Sequence, residues 1–197
     1  MTWVETGHTP INIVLADANV LYSRVLRDYL LCAAEQNLVN VVWSQSILND
    51  VTEHLILNLP AFTRQSATAL ANALDRTFPN AIVEPTPADY ARLETFELPD
   101  EDDRAVIAAA IAAEADIVCT NNIKHFPLPV MEHLGLVLLT PDELFVQLIN
   151  TDTERMIAAH RSAITSHHQF TDQSTIASLR RAGAPATADL MATILGF

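Results

Sequence analysis

The chain has 197 residues, half of them hydrophobic, and a formal net charge of −13 at pH 7. That length suits one domain of ordinary size with room for a helical appendage, and the apolar content is too high for a disordered chain. Lys124 is the single lysine among 11 basic residues, which excludes wrapping duplex nucleic acid by charge alone; a nuclease stays open, because metal ions can supply local positive charge.

Residues 1–10 read as a tail. It has no basic leader of the signal-peptide kind, and no apolar run approaches the ~18 residues of a membrane span. A soluble, cytoplasmic protein without membrane contact is expected. "INIVLA" (11–16) reads as a buried strand, followed by a helix over 20–36 and a second strand, "LVNVVW" (38–43). Ser44 or Ser46 can cap a helix over 46–58, which Pro60 ends. A helix over 63–77, a short strand "AIVE" (81–84) and a small helix from Pro87 come next. The spacing then predicts a helix over 102–114, a strand "DIVCT" (116–120) and a last strand "LGLVLLT" (134–140). From Pro141 to Phe197 only helices are expected, broken at "RAGAP" (181–185). Cys32 and Cys119 sit in apolar runs and read as buried free thiols.

Strands alternating with helices imply a parallel sheet covered on both faces. Sites in such folds form where the chain leaves the carboxyl ends of strands. Asp17 and Asn19 follow the first strand, and Asn121 and Asn122 follow "DIVCT". A turn and helix cap explains Asp17 and Asn19 equally well on spacing alone.

The densest charge lies at "ELPDEDDRAVIAAAI", where Glu97, Asp100, Glu101, Asp102 and Asp103 precede an alanine-rich helix. Acids in a first helical turn complement the helix dipole, but this run exceeds what capping requires, and like charges so close repel. A bound divalent cation would relieve that repulsion. Asp103 stands one turn before Ile107, at the inner edge of the packed helix. On the helix over 46–58, Ile47, Leu48, Val51, Leu55 and Leu59 form the buried stripe. Asp50 lies about 130° from its centre and Glu53 about 170° away, so Asp50 can lean towards the sheet while Glu53 reads as solvent-facing. Oxygen-only donors suit Mg²⁺ or Mn²⁺. No His and Cys pair has zinc spacing, His167-His168 reads as surface, and no phosphate-cradling glycine loop or G-x-S-x-G turn occurs.

Several stretches together resemble the PIN domain nucleases, in particular the VapC-type toxins of bacterial toxin–antitoxin systems. They are "LADANVLYS", "WSQSILNDVTEHL", "FPNAIVE" and "LPDEDDRAVIAAAIAAEADIVCTNNIKHFP", with "PDELFVQLI" and "LRRAGAPATADLMATIL" resembling the helical tail of one bacterial branch. The resemblance covers about 11–195. It implies a three-layer α/β/α fold over 11–140, a C-terminal helical extension over 141–197 packed on it, and metal-dependent cleavage of RNA. By the same resemblance Asp17 and Asp103, helped by Asp50, would hold one or two Mg²⁺ (or Mn²⁺) ions, and Asn122 would position water or phosphate. Asn19, Arg24, Arg27, Arg104 and Lys124 are the candidate RNA contacts. A cognate antitoxin and a homodimer are the partners such toxins commonly have.

The chain departs from the family pattern at three places. Asp50 stands where Glu is usual, Ala105 where this branch commonly has His, and His125 where Asp is common. A PIN fold that binds RNA or a protein with weakened catalysis is therefore the alternative. A phosphatase with an aspartyl nucleophile is a further rival, although such enzymes carry an acid two residues after the nucleophile and here that position is Asn19.

Overall fold

The computed structural model describes residues 12–165 and 170–197; the expected tail at 1–10 and the His167-His168 pair lie outside the described residues. Strands β1 (Ile13–Ala16), β2 (Asn40–Ser44), β3 (Ile82–Val83), β4 (Ile117–Cys119) and β5 (Val137–Leu139) form one sheet in the order β3-β2-β1-β4-β5. Every pairing is parallel, with Leu15 opposite Val42 on one side and Val118 on the other. Helices flank the sheet, giving the three-layer α/β/α architecture. Val14, Leu15 and Ala16 are fully buried, as a central parallel strand covered on both faces requires.

The strand order has one reversal point. From β1 the chain builds outward through β2 to β3, then crosses back to place β4 on the other side of β1. The carboxyl ends of β1 and β4 thus open into a crevice at the topological switch point, where open α/β sheets bind ligands.

The helix expected over 20–36 is two helices, α1 (Ala18–Tyr22) and α2 (Arg24–Glu35), divided at Ser23, whose backbone is extended. Arg27 sustains the break: its Nη1 donates to the Leu21 carbonyl (2.8 Å), which the broken helix leaves unpaired. The next helix is α3 (Gln45–Asn58), capped by Ser44, whose Oγ accepts from the Ile47 N–H. Its buried residues are Ile47, Leu48, Val51 and Leu55, while Leu59, expected in the stripe, is the C-cap and 45% exposed. Helices α4 (Arg64–Thr77) and α5 (Pro87–Ala91) follow.

Residues 101–103 form a tight 3₁₀ turn, and only Arg104–Ala112 is α-helix, α6. Val106 to Ile111 are all buried, because the alanines let α6 lie close against β2 and β4. No helix is expected from the sequence over 121–133, yet α7 (Leu128–Leu134) lies there, with Val130 and Met131 buried and Gly135 closing it at φ +73°. Parallel neighbours β4 and β5 require such a crossover.

Helices α8 (Pro141–Thr151), α9 (Thr153–Thr165), α10 (Asp172–Arg181) and α11 (Pro185–Leu195) complete the chain. Both α9 and α10 pack on α2, and α11 packs on α8 and α10. Two polar clasps fix them. The Asp142 carboxylate accepts from the Ala186 N–H (3.0 Å), the Thr187 N–H (2.7 Å) and the Thr187 hydroxyl (2.7 Å), so it caps the start of α11 from α8. In the second, Tyr29 on α2 hydrogen-bonds His160 Nδ1 (2.9 Å), and His160 Nε2 hydrogen-bonds Asp172 Oδ1 (3.1 Å). With its Nε2–H donated to the carboxylate, the imidazole accepts from the tyrosine hydroxyl as a neutral ring. Both cysteines are buried and free, and burial pushes the Cys32 thiol up to about 12.

His160 is fully buried, and burial depresses its pKa despite the opposing pull of Asp172. The unfolded chain therefore takes up this proton first as pH falls. The clasp's contribution is present above the ordinary histidine value of about 6.5 and is lost as pH drops through that value towards the lower folded one. In urea melts the stability gap between wild type and His160→Gln should narrow steadily from pH 7.5 to pH 5. A gap independent of pH would show that His160 does not titrate with folding.

Candidate active site

The site begins at the carboxyl end of β1. Asp17 caps α1 with Oδ1, which accepts from the Ala18 N–H (2.6 Å). Its other oxygen, Oδ2, accepts from the Thr120 hydroxyl (2.6 Å) and from the Asn19 amide. Asp17 is only 6% exposed, so capping explains one oxygen and leaves the other tied to the end of β4. Thr120 is the hub of that tie. Fully buried, its hydroxyl oxygen also accepts from Asn19 Nδ2 (2.9 Å) and from the Asn122 N–H (3.0 Å). Asn19 Oδ1 in turn accepts from the Asn121 N–H (2.9 Å). Asn19 lines the crevice, but both ends of its amide hold β1 and β4 in register.

Asp103 approaches from the turn before α6. Its Oδ2 lies 3.0 Å from His125 Nδ1, and Asp100 Oδ2 lies 4.0 Å from the same nitrogen. Asp50 and His54 face the crevice from α3, with Asn58 beyond them. Together Asp17, Asn19, Tyr22, Asp50, His54, Asp102, Asp103 and Asn122 wall a cleft of about 620 Å³. Glu53 is exposed and does not line it. A larger hollow of about 830 Å³ lies between α2, α3 and α4, but its walls are mainly apolar, with Leu31, Leu55, Phe62 and Phe78, and of its two acids, Asp28 and Glu35, the first is paired with Arg24 and Arg27. Chemistry, rather than size, points to the smaller cleft.

The acids feel one another. Burial raises the Asp17 pKa, hydrogen bonds from Thr120, Ala18 and Asn19 oppose it, and the Asp50 charge adds to the rise. Burial raises Asp103, with His125 opposing and Asp100 and Asp17 reinforcing. Burial also raises Asp50, with His54 opposing and Glu53 and Asp102 reinforcing. Among the described residues no Lys or Arg lines the cleft. Several oxygen donors, mutually repelling and with only histidines as basic neighbours, fit a hard divalent cation such as Mg²⁺ or Mn²⁺.

The candidate basic contacts are placed variously. Arg24 pairs with Asp28 (3.7 Å) and lies 5.7 Å from the centre of the Phe170 ring. Arg27 is drawn to the Leu21 carbonyl and Asp28. Arg104 donates to the carbonyls of Leu93 (2.7 Å) and Phe96 (3.2 Å), strapping the acidic turn to the segment before it. Lys124 is exposed on the 3₁₀ turn 123–125, two residues from Asn122.

Beyond the site residues expected from the sequence, the structure brings in Thr120, His54, Asp102 as a cleft residue and the Asp100–His125 pairing. Thr120 was within reach of the strand-end rule that picks out Asp17, since it follows β4 directly. Asp102 belongs to the 3₁₀ turn 101–103 and reaches the cleft through the placement of that whole turn, which no local spacing gives.

Asp50 and Glu53 make a direct test of the helix phase. Asp50→Ala should cut any hydrolysis that a cation in this cleft supports about 10²-fold, the scale of losing one electrostatic contributor. Glu53→Ala should change it little, and Asp50→Glu should preserve or raise it, because the longer arm reaches further into the cleft. Cleavage rates for the three purified variants decide this; a dead Glu53→Ala with an active Asp50→Ala would reverse the assignment.

A family model described as PIN domain matches residues 13–124, more than half of the chain, spanning β1 to the turn after β4. No curated protein and no solved structure matches the chain.

Proposed function

The chain belongs to the PIN domain family, a nuclease fold, and from that premise we propose that it is a Mg²⁺- or Mn²⁺-dependent ribonuclease that hydrolyses phosphodiester bonds. The observation that carries the reading is the convergence of Asp17, Asp50, Asp102 and Asp103 on one cleft at the sheet's switch point. A divalent cation bound among them supplies Lewis acidity, activating water and neutralising charge on phosphorus and the leaving oxygen. Asp17, at the β1 end, and Asp103, on the turn before α6, are the residues that would hold it. Thr120 and Asn19 aim the Asp17 carboxylate. Asp50, with its pKa raised, offers an oxygen that accepts the proton released as water adds to phosphorus and the bond to the leaving oxygen breaks. Asn122, at the open side, orients the phosphate.

The role as toxin of a type II toxin–antitoxin pair follows the resemblance of the motifs. A homodimer and a small antitoxin are its expected partners, and the cleft supports the second of these, since an antitoxin arginine would find carboxylates to pair with. Among the described residues no helix is long and apolar enough to cross a membrane.

Purified protein should cleave single-stranded RNA with Mn²⁺ or Mg²⁺, lose that activity in excess EDTA and regain it on adding metal back. RNA binding without cleavage under all three conditions would favour the weakened binding module instead. Growth arrest on expression, relieved by the product of the neighbouring upstream frame, would support the toxin role; harmless expression of a cleavage-active chain would remove it.

A further inference from the structure

Resting on the reading that this cleft binds a divalent cation, we propose that Asp100, Asp103 and His125 form a mixed nitrogen–oxygen subsite that selects Mn²⁺ over Mg²⁺. Asp103 Oδ2, Asp100 Oδ2 and His125 Nδ1 all lie within 4.8 Å of one another. Around a six-coordinate ion with bonds of about 2.1 Å, adjacent ligands stand about 3 Å apart and opposite ones about 4.2 Å apart. Asp103 Oδ2 stands 3.0 Å and Asp100 Oδ2 4.0 Å from His125 Nδ1, and a cation between them would take the place of the Asp103–His125 hydrogen bond.

Each donor is held by its own local structure. His125 ends the 3₁₀ turn 123–125, and its N–H donates to the Asn122 carbonyl (2.9 Å). Asp100 Oδ1 accepts from the Asp102 N–H (3.0 Å), leaving Oδ2 as the oxygen nearer His125. The Asp103 N–H donates to the Asp100 carbonyl (3.3 Å), so the two carboxylates come from one closed turn. The His125 and Asp103 side chains are 29% and 14% exposed and that of Asp100 is 46% exposed, so the subsite opens to solvent on the Asp100 side. The charge of Asp17 bears on Asp103, which makes Asp103 the shared wall between the buried β1 end and this outer subsite.

The donor set decides the metal. Mg²⁺ favours an all-oxygen octahedron, retains its waters and gains little from an imidazole. First-row transition ions accept imidazole readily. One nitrogen among carboxylates therefore shifts the preference without preventing Mg²⁺ from binding.

The test uses the full chain with Mn²⁺ as spectroscopic probe and calorimetric competition between Mn²⁺ and Mg²⁺. Electron spin-echo spectra of the Mn²⁺-loaded wild type should show modulation from one imidazole ¹⁴N. That signal should persist in His54→Ala, whose imidazole faces the cleft from α3, and vanish in His125→Ala and His125→Asp. The ratio of Mn²⁺ to Mg²⁺ affinity should fall about tenfold in His125→Asp, which restores an all-oxygen set. Bound Mn²⁺ without nitrogen modulation in wild type, or modulation lost only in His54→Ala, overturns the subsite while leaving metal binding in the cleft intact. Failure of wild type to bind either ion overturns both readings.

Discussion

Asp17→Asn should lower Mn²⁺-dependent RNA cleavage by about 10²- to 10³-fold, the cost of removing one principal electrostatic contributor to a transition state, with the fold preserved. The amide keeps an oxygen able to accept from the Ala18 N–H and so to cap α1, whereas alanine would lose the cap at about 1 kcal/mol. What the substitution removes is the charge at the end of β1. Burial and the nearby Asp50 charge raise the Asp17 pKa, and burial likewise raises Asp50 and Asp103. A carboxyl raised above its unfolded value contributes stability that is present at low pH and lost as pH rises through the folded value. At neutral pH the charged carboxylates of the metal-free cleft therefore carry a cost of burial, with mutual repulsion added, and a cation relieves it. Added Mn²⁺ should raise the melting temperature of wild type at pH 7.5 clearly more than that of Asp17→Asn. Cleavage assays, circular dichroism and paired melts check all three parts. A variant that folds, melts with the same metal shift and cleaves at the wild-type rate would move the metal centre away from the switch point.

Thr120→Val should cost about 2–3 kcal/mol of stability and about tenfold in cleavage, although no cation need touch Thr120. Valine has nearly the same shape, so packing at the end of β4 survives. The hydroxyl it deletes serves three partners: it donates to Asp17 Oδ2 and accepts from Asn19 Nδ2 and the Asn122 N–H. Each partner left unpaired when buried costs about 1–3 kcal/mol. The cleft side can rehydrate, which holds the total to the lower part of the sum. Cleavage falls because the Asp17 carboxylate loses the donor that aims it. Thr120→Ser should recover most of both losses. Urea unfolding and cleavage rates on the two variants give the comparison, and an active, fully stable Thr120→Val would show that the hub is dispensable.

Much of the fold was legible because the relevant signals are local. The β-branched runs of β1, β2 and β4 announce strands, and Ile47, Leu48, Val51 and Leu55 recur at helical spacing in α3. Ser44 caps that helix from the position its sequence suggests. The misreadings share one cause. The break at Ser23 is held by Arg27 reaching back to the Leu21 carbonyl, and the 3₁₀ turn at 101–103 is strapped in place by Arg104 bonding to Leu93 and Phe96. Neither contact has a periodicity that a window of sequence can register. The seven-residue α7 spans only about two turns, too short for a helical period to register; its need arises from the parallel pairing of β4 with β5.

The same division runs through the site. By itself the sequence determined the residue types: a strand ending in Asp17, an acid run before an alanine-rich helix, and Asn122 after the next strand. Those types limit the chemistry, because oxygen donors in excess of any basic partner call for a divalent cation. Only the tertiary structure decided which acids meet. Asp17, Asp50 and Asp103 are dozens of residues apart and share a cleft because β4 inserts beside β1, carrying Thr120 into hydrogen-bonding distance of Asp17. It alone also set His125 against Asp100 and Asp103. Side-chain convergence depends on strand order and loop path, and these are fixed by long-range burial that no local pattern encodes.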